Sequence, residues 1–176
     1  MALKLVNLDA NTRKHMADEF GADVAAGKLY LSPRLSGIGR NDYPGFLKEA
    51  IQASDDAWLA TQIANNGRLN QMEERRGKNG VTMAKVPITA NQTMAEGEFN
   101  RFYARGLAAL AIAAGIAELV VYRARASENP RAESEAKIGT RISAQALLDD
   151  LRQNIGVDTA LGLPPGPNSG LSVKLP

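Results

Sequence analysis

The middle of the chain constrains the fold most, because two strand-like runs flank one long helical segment with only short connections. Residues 81–88 alternate well enough, and hold enough β-branched side chains, to predict a strand, and Pro87 places that strand at a sheet edge or at a strand end. Residues 118–125 include an unbroken apolar run, which is typical of a strand covered on both faces. The order strand, helix, strand predicts a right-handed crossover between parallel strands.

The helix between these two strands has recognisable ends. Thr93 and Glu96 form the T-x-x-E pattern of a capping box, in which the hydroxyl and the carboxylate each accept a hydrogen bond from a free N–H group at the helix start. Gly115 is the residue that helix ends prefer. Large apolar residues and alanines recur between these positions at spacings of three and four, so we expect this helix to form the spine of the core.

The remaining segments predict more helices and one more strand. In the first third of the chain, Asp9, Asp42 and Ser54 each precede an apolar pattern of helical period and are predicted to cap a helix. Further along, residues 138–142 fit a short strand, and Ser143 is predicted to cap a last helix. The expected class is α+β, with an N-terminal helical cluster and a small sheet around a central long helix.

Residues 67–80, GRLNQMEERRGKNG, are predicted to form a mobile loop. They hold few large apolar residues, charges of both signs and three glycines. We predict one α+β domain over residues 1–160 that includes this loop.

An extended arm is predicted at residues 161–176. Pro164 and Pro165 are among the prolines that exclude a helix here, and apolar residues such as Leu171 and Val173 alternate with small and polar ones. An arm of this kind gains stability only by lying in a groove, either on its own body or on a neighbouring molecule. The sequence leaves both alternatives open.

Composition limits the chemistry that the chain can perform. The 176 residues, 44% of them hydrophobic and 23% charged, suit one ordinary globular domain. There is no Cys, which excludes disulfides, thiolate nucleophiles and Cys-ligated zinc, and the single His15 lies on a predicted helix surface. Phosphate-loop, dinucleotide and nucleophile-elbow patterns are absent. We therefore expect no cofactor and favour a non-enzymatic protein.

Net charge and hydropathy give weaker guidance. A net charge of +2, with no strongly basic half, is little support for nucleic-acid binding. The most apolar window is interrupted by a glutamate and a glycine, so no membrane-spanning segment is predicted. The first residues do not resemble a signal peptide. We expect the protein in the cytoplasm of the cell that makes it.

Basic side chains are the best candidates for contact with a partner or an anion, because guanidinium groups donate paired hydrogen bonds to phosphate and carboxylate. The candidates are Arg68, Arg75, Arg76, Lys78, Arg101, Arg105, Arg123, Arg125 and Arg131. Glutamates interleave with the last five of these, so surface ion pairs are the favoured account of that group.

Four segments resemble small phage and prophage proteins. They are residues 30–37 (YLSPRLSG), 96–107 (EGEFNRFYARGL), 120–139 (VVYRARASENPRAESEAKIG) and 164–175 (PPGPNSGLSVKL). The resemblance covers most of the chain and implies a virion structural or assembly role, such as a connector, head-completion or minor capsid subunit. It carries over no catalytic, cofactor or metal residues, and it adds the virion to the expected locations.

The sequence thus supports three hypotheses of different class. The first is a structural or assembly protein, expected to be a homo-oligomer, that contacts itself or neighbouring subunits through residues 67–80 and the arm. The alternative is a nucleic-acid-associated protein that uses the Arg-rich loop and strand faces. The least favoured is an enzyme that binds an anionic substrate through Arg123, Arg125 and Glu133.

Overall fold

The structure is a computed structural model that describes residues 2–77, 80–126, 129–155 and 169–176. The described residues form six helices: α1 (Ala10–Ala25), α2 (Gly37–Ala53), α3 (Asp56–Ala64), α4 (Ala90–Ala113), α5 (Ala132–Glu135) and α6 (Ala144–Gln153). They also form five strands: β1 (Met72–Gly77), β2 (Gly80–Lys85), β3 (Glu118–Arg123), β4 (Arg141–Ser143) and β5 (Leu171–Lys174). The α+β class is as predicted.

Helix α4 is the centre of the helical layer, where α1, α3 and α6 pack against it. Its buried stripe consists of Phe99, Phe102, Tyr103 and Leu107. Gly106 marks the closest approach of α1, because a Cβ atom here would lie 2.7 Å from the backbone nitrogen of Met16. The prediction that this helix forms the spine of the core is confirmed.

Strand β3 is the central strand of a three-stranded sheet in the order β4-β3-β5. It pairs antiparallel with both neighbours, and β2 pairs with β1 in a separate two-stranded sheet. The predicted parallel crossover is therefore wrong. Its premise was that neighbouring strands in sequence become neighbours in space, whereas both partners of β3 come from segments that follow it.

One face of β3 is buried and the other is only partly covered. Leu119 and Val121 are buried, whereas Val120 and Tyr122 are half-buried. The residues before α1 lie beside the strand, because the backbone N–H of Lys4 donates to the carbonyl of Ala124 at 2.9 Å. The predicted cover on both faces is therefore complete only on the face of Leu119 and Val121.

The last residues of the predicted arm dock on their own body as strand β5. Leu171 and Val173 are buried in the core beside β3. Asn100 of α4 donates from its side-chain amide to the carbonyl of Leu171 at 2.8 Å, which ties the strand to the central helix. Pro164 and Pro165 lie outside the described residues. Of the two alternatives, residues 169–176 follow the intramolecular one.

Two of the predicted helix caps are confirmed. The carboxylate of Asp9 accepts from the backbone N–H of Thr12 at 2.8 Å at the start of α1. Ser143 caps α6 through a bond to the N–H of Ala146 at 3.3 Å. Strand β4 begins later than predicted, at Arg141, because the chain before it turns back on itself.

Other predicted caps are wrong. Helix α2 is capped by Ser36, not by Asp42, and it contains the GIG segment that resembles a turn in the sequence. Helix α3 is capped by Asp55, the residue after the predicted Ser54. At α3 the neighbouring polar side chain reaches the free N–H group, whereas α2 begins six residues earlier than predicted.

The capping box predicted at Thr93 and Glu96 is also wrong. Helix α4 begins earlier, at Ala90, and the Thr93 hydroxyl donates to the carbonyl of Thr89 at 3.0 Å. Glu96 is buried nearly two turns inside the helix and pairs with Arg125 instead. Helix α4 ends just before Gly115, which has a positive φ of 74°, so the predicted end is confirmed.

Strand β1 occupies part of the predicted loop, so that prediction is wrong for residues 72–77. Strands β1 and β2 pair antiparallel from Met72 with Lys85 to Gly77 with Gly80. Strand β2 is confirmed and ends before Pro87. None of the helices in the described part of the chain has the length and apolar character needed to cross a membrane.

Candidate interaction surface

Arg105 is enclosed in the helical layer, and its side chain is 1% exposed. It donates hydrogen bonds to Glu19 at 2.8 Å and to Asp23 at 2.6 Å, and Arg152 donates to the same Glu19 carboxylate. Burial opposes the ionisation of Arg105, but the hydrogen bonds with Asp23 and Glu19 outweigh it and raise the pKa of the guanidinium. Arg105 therefore ties α1 to α4 and is closed to an external anion.

Arg101 belongs to a second enclosed cluster on α4. It donates to the backbone carbonyl of Leu151 at 2.6 Å and lies 4.0 Å from the carboxylate of Glu98. Burial lowers the pKa of Arg101 and raises the pKa of Glu98 to about 7. The Tyr43 hydroxyl is buried in this cluster without a hydrogen-bond partner among the described residues. These groups are packed between helices.

The arginines of β3 and its continuation bind acids of their own chain. Arg123 donates to the carboxylate of Glu135 and to the carbonyl of Ser169. Arg125 pairs with the buried Glu96 at 2.9 Å. Arg131 is exposed at the N-cap position of α5. The favoured account of this group, surface ion pairs, holds for Arg123, whereas the partner of Arg125 is a buried glutamate.

Arg68 is a structural residue at the base of the hairpin. It donates to Asp42 at 2.8 Å and to the carbonyl of Gln62 at 2.9 Å, where it binds the end of α3. Its guanidinium lies 4.6 Å from the ring centre of Phe46, within the range of a cation–π contact. Arg68 thus joins α2 and α3, and its guanidinium is already engaged by groups of its own chain, although the sequence predicted it as a contact for a partner or an anion.

Arg75 and Arg76 are the exposed members of the candidate set, and both lie on β1. Arg75 donates to Glu73 at 2.9 Å, and its side chain is 53% exposed. Arg76 is exposed and has no ion pair among the described residues. Lys78 lies outside the described residues. Of the predicted contact residues on the hairpin, Arg75 and Arg76 remain accessible to a partner.

The outer face of the hairpin combines apolar and charged side chains. Because paired residues of antiparallel strands share a face, one face holds Met72, Glu74, Arg76, Val81, Met83 and Lys85. All of these residues are exposed. Met72, Val81 and Met83 are 42%, 57% and 60% exposed, which is unusual for large apolar side chains clustered on one face. We call this face the hairpin surface.

The opposite face of the hairpin is anchored to the body. Glu73 accepts hydrogen bonds from Arg34, which precedes α2, and from Arg75. These bonds, from Arg34 first, lower the pKa of Glu73. The two strands otherwise pack mainly against each other. Ile88, in the link to α4, is 97% exposed, so apolar exposure continues past the end of the hairpin.

The sequence holds a signal for this hairpin that the loop prediction missed. Asn79 and Gly80 form an Asn-Gly dipeptide, which is a turn signal, between two short runs of suitable length. The absence of a buried face hid the alternation, since period-2 patterns arise when one face is covered. The pairing of Glu19 and Asp23 with Arg105 has no comparable local signal, because these partners are far apart in sequence.

Helices α1 and α2 line a groove of about 490 Å³. It is lined by apolar residues that include Phe20, Val24, Pro44 and Ile51, and Lys48 contributes the one cationic group of this lining. Among the residues that the structure describes, no three His, Cys, Asp or Glu side chains are grouped so as to hold a metal ion.

Comparison of the chain with protein-family models, with curated proteins and with solved structures finds no match. Function is therefore inferred from the geometry and chemistry of the hairpin surface.

Proposed function

We propose that the protein is a non-enzymatic structural or assembly subunit of a phage particle or a similar multi-subunit assembly. In this role it contacts copies of itself or neighbouring subunits through the hairpin surface. The observation that carries the proposal is the exposure of Met72, Val81 and Met83 together on one face of a projecting two-stranded sheet. Clustered apolar exposure of this kind marks protein–protein contact sites.

The rest of the molecule suits this role. The polar clusters of α4 are internal ion pairs and hydrogen bonds that hold helices together, which supports a structural function over a catalytic one. The nucleic-acid alternative receives less support, because Arg68, Arg123 and Arg125 bind acids of the same chain. The hairpin carries Glu74 beside Arg75, Arg76 and Lys85, so its charge is mixed and not uniformly basic.

The test is the sedimentation of the protein in a lysate of the cells that produce it. We expect the full chain to sediment in a glycerol gradient with a large assembly, far from the position of an 18.8 kDa monomer. A double variant, Val81→Lys with Met83→Lys, should move to the monomer position because it places charge on the hairpin surface.

The matched control is Ile112→Lys, which also replaces a partly exposed apolar residue by lysine. Ile112 lies at the other end of α4, roughly 30 Å along the helix from the hairpin, so this variant should sediment like the wild-type protein. Wild-type protein found at the monomer position would contradict the proposal. Loss of the fast-sedimenting species after nuclease treatment would instead support the nucleic-acid alternative.

A further inference from the structure

Strand β1 has one edge whose backbone groups point away from β2. The N–H of Val86 donates to the carbonyl of Gln71 at 3.0 Å, so residue 71 and every second residue after it bond toward β2. The backbone groups of Met72, Glu74 and Arg76 therefore point outward. No backbone hydrogen bond from another described segment reaches them.

The same edge is already paired just before β1 begins. Ser36 donates to the carbonyl of Arg68, and Asn70 donates to the carbonyl of Arg34, both at 2.9 Å. The chain then turns away at Ser32, whose carbonyl accepts from Leu35 at 3.1 Å. The edge of β1 beyond this point is open to another strand.

The outer edge of β2 is less suited to pairing. Lys85 is the last residue of this strand and Pro87 follows two residues later, and both residue types are used in proteins to keep sheet edges from joining. The free edge of β1 carries no proline. Strand addition is therefore favoured at β1.

We propose that β1 pairs antiparallel with β1 of a second copy of the chain, around a two-fold axis, to form a four-stranded sheet. This inference rests on the proposed function, because it identifies a second copy of the chain as the partner that the hairpin contacts. The axis passes through Arg75, which places Glu74 opposite the partner's Arg76 and Arg76 opposite the partner's Glu74.

Charge selects this register. A two-fold axis perpendicular to the sheet keeps each face on its own side, so the axis must pass through one residue of β1. An axis at Glu74 or at Arg76 would place like charges face to face, and neither residue has an ion pair within the described chain. An axis at Arg75 places Arg75 of the two copies opposite each other, but each of these arginines already has Glu73 of its own chain as a counter-ion at 2.9 Å. The register at Arg75 gives two attractive cross-strand pairs.

The proposed sheet also accounts for the apolar side chains of the hairpin surface. The two-fold axis places Val81 and Met83 of both copies on the same face of one continuous sheet. An isolated two-stranded hairpin is marginal in water, and four strands are enough for a stable sheet. Pairing with a second copy therefore stabilises the element that carries the surface.

The experiment is sedimentation equilibrium of the purified full chain across a concentration series. We expect a dimer, that is, twice the 18.8 kDa of one chain. Glu74→Arg and Arg76→Glu should each weaken the dimer about tenfold or more, because each places like charges at both cross-strand pairs. An equimolar mixture of these two variants should dimerise like the wild type, since opposite charges then face each other again.

Lys14→Glu is the matched control, because it reverses an exposed charge on α1 and should leave the dimer unchanged. Circular dichroism should show the same fold for all variants. A monomeric wild type would overturn the inference, and so would single variants that dimerise as well as the wild type or a mixture that stays monomeric. If the purified protein is monomeric but the hairpin variant still leaves the large assembly in lysate, self-pairing fails and the proposed function stands.

Discussion

At the scale of single residues, burial decides what the charged side chains of α4 do. Arg105 and Arg101 are spaced as if on one exposed helix face, yet both are buried. Arg105 binds acids of α1, whereas Arg101 binds a carbonyl of α6 and lies near Glu98 of its own helix. The sequence shows which residues are charged but not which distant acids will meet them. Of the candidate arginines, Arg101 and Arg105 are buried, whereas Arg75, Arg76 and Arg131 are exposed.

Glu98 predicts a specific pH dependence of stability. Its pKa is about 7 in the folded protein, against 4.5 for an ordinary glutamate, because burial penalises its charged form. Its contribution to stability is fully present below pH 4.5 and is lost as the pH rises through about 7. Above this pH the folded protein must hold a buried, ionised Glu98 carboxylate, which lowers the free energy of unfolding.

Glu98→Gln should remove this dependence. Between about pH 5 and about pH 8, the free energy of unfolding of the variant should rise relative to wild type by roughly 2 to 3 kcal/mol. Urea unfolding at the two pH values measures this difference. The exposed Glu133→Gln is the control, and an equal pH response of the two variants would show that Glu98 is not the titrating group.

At the scale of elements, two glycines of α4 lie in different surroundings: Gly106 is packed closely against α1, whereas Gly97 lies on the exposed side of the helix. A Cβ atom at Gly106 would lie within 3.0 Å of three atoms of Met16, two of them in the backbone, so α1 would have to move. Gly106→Ala should lower the free energy of unfolding by about 1 to 3 kcal/mol. Chemical denaturation measures the change.

Gly97 in the same helix is the matched control. Apart from the neighbouring residues and nearby backbone of its own helix, no atom of the described residues lies within 4 Å of a Cβ placed there. Gly97→Ala should raise the free energy of unfolding by up to about 1 kcal/mol, because alanine favours the helix. If the two substitutions changed stability in the same direction by similar amounts, the close contact of α1 with α4 would be refuted.

Elements with a buried face were the predictable ones. The apolar stripe of α4, its glycine end, the strand β3 and the cap of α6 all follow from local patterns. The hairpin was missed because neither strand has a fully buried face to impose an alternating pattern. The pairing of β3 was missed because its partners are chosen by the packed core, and no local pattern of β3 names them.

At the scale of the whole molecule, strand β5 completes the sheet beside β3. Removal of residues 169–176 should therefore lower the stability of the fold itself, in addition to removing any contacts with other subunits. Leu171 and Val173 are 2% and 1% exposed, and burial of two such side chains contributes roughly 3 to 6 kcal/mol. That amount is a large part of the stability of a typical domain.

We expect the truncated chain to lose its cooperative thermal transition, followed by circular dichroism. A chain that lacks only the exposed Pro176 should unfold like the full chain. An unchanged transition after the larger truncation would show that β5 is not part of the folding unit.

Just after β5, the backbone N–H of Leu175 donates a hydrogen bond to Oδ1 of Asn7, and these two residues are 168 positions apart in the chain. Closing so long a loop costs more entropy than closing the short loops between neighbouring helices. Contacts between residues this far apart in sequence slow folding, whereas local helix contacts form early. We expect the chain to fold from its helical middle outward, so that the two flanking segments meet on β3 in the last and slowest step.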